Sequence, residues 1–146
     1  MTGAVIALLV KEPALAVPLS FLSHFACDLI PHFGVRDDEE VSELFTRKFN
    51  IILVVDFLVA VSLMVILGFL FPAQRLTIWA CMVAAALPDA MWAYHRLYVE
   101  HIKKRKPKLD WLAKFHHLIQ WSQTYYGIFV ELAWFTAMGV IILAQR

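Results

Sequence analysis

Cysteine is scarce in this chain: Cys27 and Cys81 are the only two in 146 residues. That excludes a disulfide-stapled fold, and because both sit inside apolar runs a small packing role is expected of them. Charge is thin as well, 17% of residues against 61% hydrophobic ones, with a mean hydropathy of +0.67. One small soluble core cannot bury that much apolar side chain, so the class is a membrane protein. No basic residue precedes the first apolar stretch, MTGAVIALLV, and no small-residue cleavage pattern comes before Lys11 and Glu12, so a signal peptide is not expected. Repeats and low-complexity tracts are lacking too, and a single polytopic domain over 1–146 is the simplest organisation.

Four apolar windows are long enough to cross a hydrocarbon core of about 30 Å as helices: residues 13–33, 49–71, 76–95 and 125–144. The stretch 3–10 is too short to span and is broken at Pro13, predicting a short N-terminal helix that lies in the interface or re-enters. The segment RLYVEHIKKRKPK, 96–108, holds six basic residues against Glu100 alone, and short loops of this kind stay cytoplasmic. Ten of the thirteen Lys and Arg then fall on the cytoplasmic side, as expected of a multi-pass inner-membrane protein. The run KKRKPK from Lys103 to Lys108 sets topology and touches anionic lipid headgroups; no nucleic-acid partner is expected of a chain that is not soluble. The acidic loop at 34–48, with five carboxylates, reads as a solvated connector. Downstream, LDWLAKFHHLIQW spaces Leu112, Phe115, Leu118 and Ile119 helically between Trp111 and Trp121, predicting an amphipathic helix along the cytoplasmic surface. The expected fold is therefore all-α, with about four transmembrane helices, a short N-terminal helix and one interfacial helix.

Each expected span carries one acid: Asp28, Asp56, Asp89 and Glu131. Counted from the span ends at a rise of about 1.5 Å per residue, they lie at nearly one depth, about 9 Å below the cytoplasmic boundary. An ionised Asp at a helix centre costs on the order of 3 kcal/mol on insertion scales, so these acids should face one another or a shared cavity. Protonation, a basic partner or a cation can relieve their repulsion. His24 and Asp28, four residues apart in SHFACDLIPH, share a helix face, and His32 continues it. An imidazole nitrogen beside a carboxylate oxygen is a common half-site for a divalent ion, zinc or manganese first. His24, Asp28, His32, Asp56 and Asp89 are thus candidate metal ligands, with a hydrogen-bonded core histidine and protonated acids as the alternatives. Glu131 and His116, which shares a face with Leu112 and Gln120, are candidates to move protons. Pro31 and Pro88 each free a carbonyl close to this level, and Ala84, Ala85 and Ala86 offer a smooth surface for close helix approach.

The stretch LSHFACDLIPH resembles the Ser-His-x-x-x-Asp signature of bacterial membrane-bound metal-dependent hydrolase-like proteins, and LPDA at 87–90 resembles their Leu-Pro-Asp motif. Thr2, Gly3 and Ala4 followed by the same Ser-His motif also resemble small uncharacterised bacterial membrane proteins. The resemblance covers the first third of the chain plus 87–89, and implies that His24, Asp28 and Asp89 are ligand positions. A metal-dependent hydrolase would use the ion to make a nucleophile of bound water, on an amphiphilic substrate for which a phosphoester suits the adjacent basic loop. Two other functions fit the same residues: a proton or metal-ion transporter, and a structural or assembly-partner bundle whose acids are protonated or set against histidines. The apolar outer half, VSLMVILGFLF and AMGVIILA, speaks against a continuous transport path.

Overall fold

The computed structural model describes residues 1–33, 47–94, 98, 102–104, 111–119 and 122–146. The acidic loop at 34–46, most of the basic run at 96–108, His95 and His101 lie outside them, as do the side chains of His116 and His117. The described chain is all-helical: α1 (Thr2–Val10), α2 (Pro13–Asp28), α3 (Arg47–Leu70), a 3-10 turn (Pro72–Gln74), α4 (Arg75–Ala93), α5 (Trp111–Ile119) and α6 (Gly127–Ala144).

The first two helices form a hairpin. Lys11 ends α1 in the left-handed conformation, φ 59°, and Glu12 caps α2 by accepting from the Ala14 amide at 3.4 Å. Pro13 takes the first helical position, where its missing N–H costs nothing. α2 ends at Asp28 rather than running to residue 33, because Pro31 biases the residue before it away from helical geometry.

Small residues decide the core. Ala4 and Ala7 of α1 are buried with Val5 and Leu8 against Ile78 and Cys81 of α4. A Cβ built on Gly3 would lie 2.5 Å from the Cys81 carbonyl oxygen, so only a hydrogen there lets the two backbones approach this closely. The short N-terminal helix expected before Pro13 is present, and it folds back on α2 and fills the groove between α2 and α4. In the alanine run of α4, Ala84 is buried and the Ala85 Cβ lies 3.2 Å from where a Cβ on Gly3 of α1 would sit, while Ala86 is exposed.

α3 and α6 stand at the periphery. α3 is held through its last turns, where Leu67 is buried and Gly68 meets the Trp79 ring, and the Trp79 indole donates to the Met64 carbonyl at 2.7 Å. α6 reaches the core through Met138 and Ile142. Both contain an 18-residue stretch long and apolar enough to cross a membrane, Leu53–Leu70 and Gly127–Ala144, and their exposed residues are mostly large and apolar, Phe57, Phe69, Phe129 and Leu143 among them. These two match expected spans. α2, at 16 residues, is about 24 Å long, shorter than a hydrocarbon core of about 30 Å.

Candidate functional site

Where α2 crosses the end of α4, three of the sequence-predicted residues come together. The spacing of four puts His24 and Asp28 on one face of α2, and the imidazole Nε2 stands 3.2 Å from Asp28 Oδ2. Across the helix interface, Asp89 Oδ1 of α4 lies 3.6 Å from the same nitrogen. The other ring nitrogen, Nδ1, is 2.8 Å from the Ala85 carbonyl oxygen. A carbonyl only accepts, so Nδ1 carries a hydrogen and Nε2 is the atom turned to the two acids. Their contacts are attractive if Nε2 is also protonated, giving an imidazolium between two carboxylates with a net charge of −1, or if one acid holds the proton.

Burial is unequal. The side chains of His24 and Asp28 are 9% and 14% exposed, whereas that of Asp89 is 68% exposed. The His24–Asp28 pair is therefore the strong element, and the longer contact to Asp89 the weaker one. Phe25 stands edge-on to the His24 ring, with centroids 5.5 Å apart, and Phe115 of α5 packs on Phe25 at 5.5 Å, so α5 lies against the residue next to the cluster.

The remaining candidates are placed elsewhere. Asp56 is on the exposed surface of α3, within electrostatic reach of Asp89. His32 belongs to a crossing of two chain segments beyond α2: its Nδ1 lies 3.0 Å from the Ile30 carbonyl oxygen, its backbone bridges Gln123, and its carbonyl accepts from the Thr124 amide at 2.9 Å. Glu131 ties the same crossing to α6, accepting from the Phe33 amide at 2.8 Å. Among the described residues, no three His, Cys, Asp or Glu side chains converge as ligands able to hold a metal ion. His116 lies on α5, its side chain outside the described set.

Sequence reasoning missed the residues that hold this end of α2. Ser122, buried, donates toward the Asp28 carbonyl at 2.9 Å and the Ile30 carbonyl at 3.1 Å, satisfying carbonyls that a helix end leaves without partners. Gly127 packs directly on the His32 carbonyl group, leaving no room for a Cβ. On a neighbouring face of α2, the Trp134 indole donates to Thr2 Oγ1 at 3.0 Å, and Thr2 Oγ1 meets Cys27 Sγ at 3.8 Å. The orphan carbonyls at Asp28 were a signal that some polar side chain must arrive, but a partner 94 residues away has no local mark in the sequence.

The molecule thus presents a histidine clasped by two acids and a backbone carbonyl, flanked by the Phe25 ring and set at the end of a small helical bundle. No family model matches the chain, and neither a curated protein nor a solved structure matches it.

Proposed function

We propose that this chain is a structural or assembly-partner membrane bundle in which the His24 cluster locks α2 to α4. The observation that carries the reading is the closure of the cluster on itself: Nδ1 is held by Ala85, and Nε2 by Asp28 and Asp89. A buried polar group whose partners all come from the protein fixes one packing of the helices around it. In this reading α2, lengthened by the non-helical residues 29–33 that follow Asp28, and α4 cross the inner membrane beside α3 and α6, making four passes. The basic loop at 96–108 faces the cytoplasm, where Lys103 to Lys108 meet anionic headgroups.

A second reading, a metal-dependent hydrolase acting on an amphiphilic phosphoester, is favoured by one feature of the same cluster. A histidine whose Nδ1–H is held by a backbone carbonyl has its Nε2 lone pair fixed for an ion. The Nε2–oxygen separations of 3.2 and 3.6 Å are close to the roughly 3.4 Å between neighbouring ligand atoms around a tetrahedral ion with bonds of about 2.1 Å. In that reading His24, Asp28 and Asp89, which as placed form no three-ligand group, would have to draw together to hold zinc or manganese, whose chemistry is to lower the pKa of bound water; His32 and Glu131, engaged at the chain crossing, would not join them.

Elemental mass spectrometry on detergent-purified protein separates the two. The structural reading expects no stoichiometric metal and no uptake of added zinc or manganese. Near-stoichiometric metal that is lost in both His24→Ala and Asp28→Asn would replace it with the hydrolase reading.

A further inference from the structure

α5 spreads its apolar side chains unevenly between the bundle and the outside. At about 100° per residue, the order around the helix is Ile119, Phe115, Trp111, Leu118 and Lys114, an arc of about 140°. Exposure climbs along this arc: Ile119 is 6% exposed, Phe115 touches Phe25 and is partly open, and Trp111 and Leu118 are 78% and 72% exposed. Lys114 is exposed at the polar edge. One edge of the stripe is seated on α2 beside His24, and the other is presented outward with a cation at its border.

Exposed aromatic residues also mark the ends of the neighbouring helices. Tyr125 and Tyr126 precede α6 and are exposed, Tyr125 packs on Phe33 just past the end of α2, and Phe129 on the first turn of α6 is exposed as well. Tyr94 and Tyr98 stack at the end of α4, with Lys103 Nζ 4.7 Å from the Tyr98 ring centroid. Trp and Tyr with flanking lysines are the side chains that favour the boundary between acyl chains and headgroups.

We propose that the outer edge of α5, Trp111 and Leu118, is docked in the lipid bilayer at the headgroup–acyl boundary with Lys114 at the phosphates, while its inner edge, Phe115 and Ile119, holds the same helix on Phe25. The bilayer is then a structural partner of the His24 cluster, because the helix packed on Phe25 beside the cluster is pinned from outside by lipid. This inference rests on the membrane reading above and deepens it by naming what covers α5.

The test is the depth of single nitroxide labels in the full chain, with Cys27 and Cys81 replaced by alanine and the protein reconstituted in phosphatidylcholine bilayers containing a minor fraction of phosphatidylglycerol. Labels are placed at Leu118→Cys, Lys114→Cys and, on the exposed face of α3, Phe57→Cys, and circular dichroism verifies the helical fold of each. The ratio of collisions with oxygen to collisions with a water-soluble nickel chelate is expected to be several-fold higher at 118 than at 114, and highest at 57. A label at 118 that meets the chelate as freely as one at 114, while 57 reads lipid, overturns the docking of α5 and leaves the membrane bundle standing. A label at 118 shielded from both reagents, with spin–spin broadening, assigns the edge to a second copy and also overturns it. If 57 itself reads water, the membrane reading fails.

Discussion

Replacing His24 by alanine removes the Ala85 hydrogen bond and both carboxylate contacts at once. Asp28 decides the magnitude. Its side chain is 14% exposed, so losing the imidazole takes an ion-pair partner from a mostly desolvated carboxylate, and breaking a buried pair costs about 3–5 kcal/mol. Asp89 is 68% exposed and makes the longer contact, 3.6 Å, so it contributes less than Asp28 to what His24 holds together. The expected loss for His24→Ala is therefore about 3 kcal/mol, and that for Asp89→Ala is smaller. The double variant His24→Ala/Asp28→Ala should recover part of the loss, since the desolvated carboxylate is removed with the imidazole, giving a coupling of about 1–3 kcal/mol in a double-mutant cycle. Reversible unfolding in mixed detergent micelles, followed by circular dichroism, supplies all four corners. A His24→Ala effect under about 0.5 kcal/mol, or strictly additive single variants, would refute the lock between α2 and α4.

Two further outcomes follow from close packing and from the chain crossing. Gly3→Ala places a methyl group on the Cys81 carbonyl and should destabilise by about 1–3 kcal/mol, read in the same unfolding assay, whereas Gly139→Ala, with nothing near its added Cβ, should be neutral or better. Glu131→Ala should free the Phe33 amide and speed its hydrogen exchange at a cost of about 1 kcal/mol, while Glu131→Gln, which keeps an acceptor oxygen, should restore protection.

His24 and Asp28 show how far local spacing reaches: a separation of four on a helix dictates that they meet, and in the structure they do. The Ala84–Ala86 face likewise announces a close neighbour, and the apolar lengths of α3 and α6 announce membrane-crossing capacity, because these properties belong to a single helix. The meeting of Asp89 with His24 was anticipated from depth along separate spans, a weaker constraint that the packing of α2 on α4 satisfied. The same depth argument placed Glu131 in the site, and the four-residue step from Asp28 placed His32 there; the tertiary structure decided otherwise in both cases, α2 ending at Asp28 before it reaches His32. Depth specifies neither rotation about a helix nor where a chain crosses, so Glu131 went to the Phe33 amide and His32 to the crossing with Gln123. The burial of α1 shows the same division. Its length excluded a span, but only the groove between α2 and α4, narrow enough to demand a hydrogen at Gly3, made it part of the core. By itself the sequence determined helix identity, apolar length and the neighbours within a turn or two; which side chains face each other across helices was settled by backbone approach and by hydrogen-bond partners up to 132 residues apart.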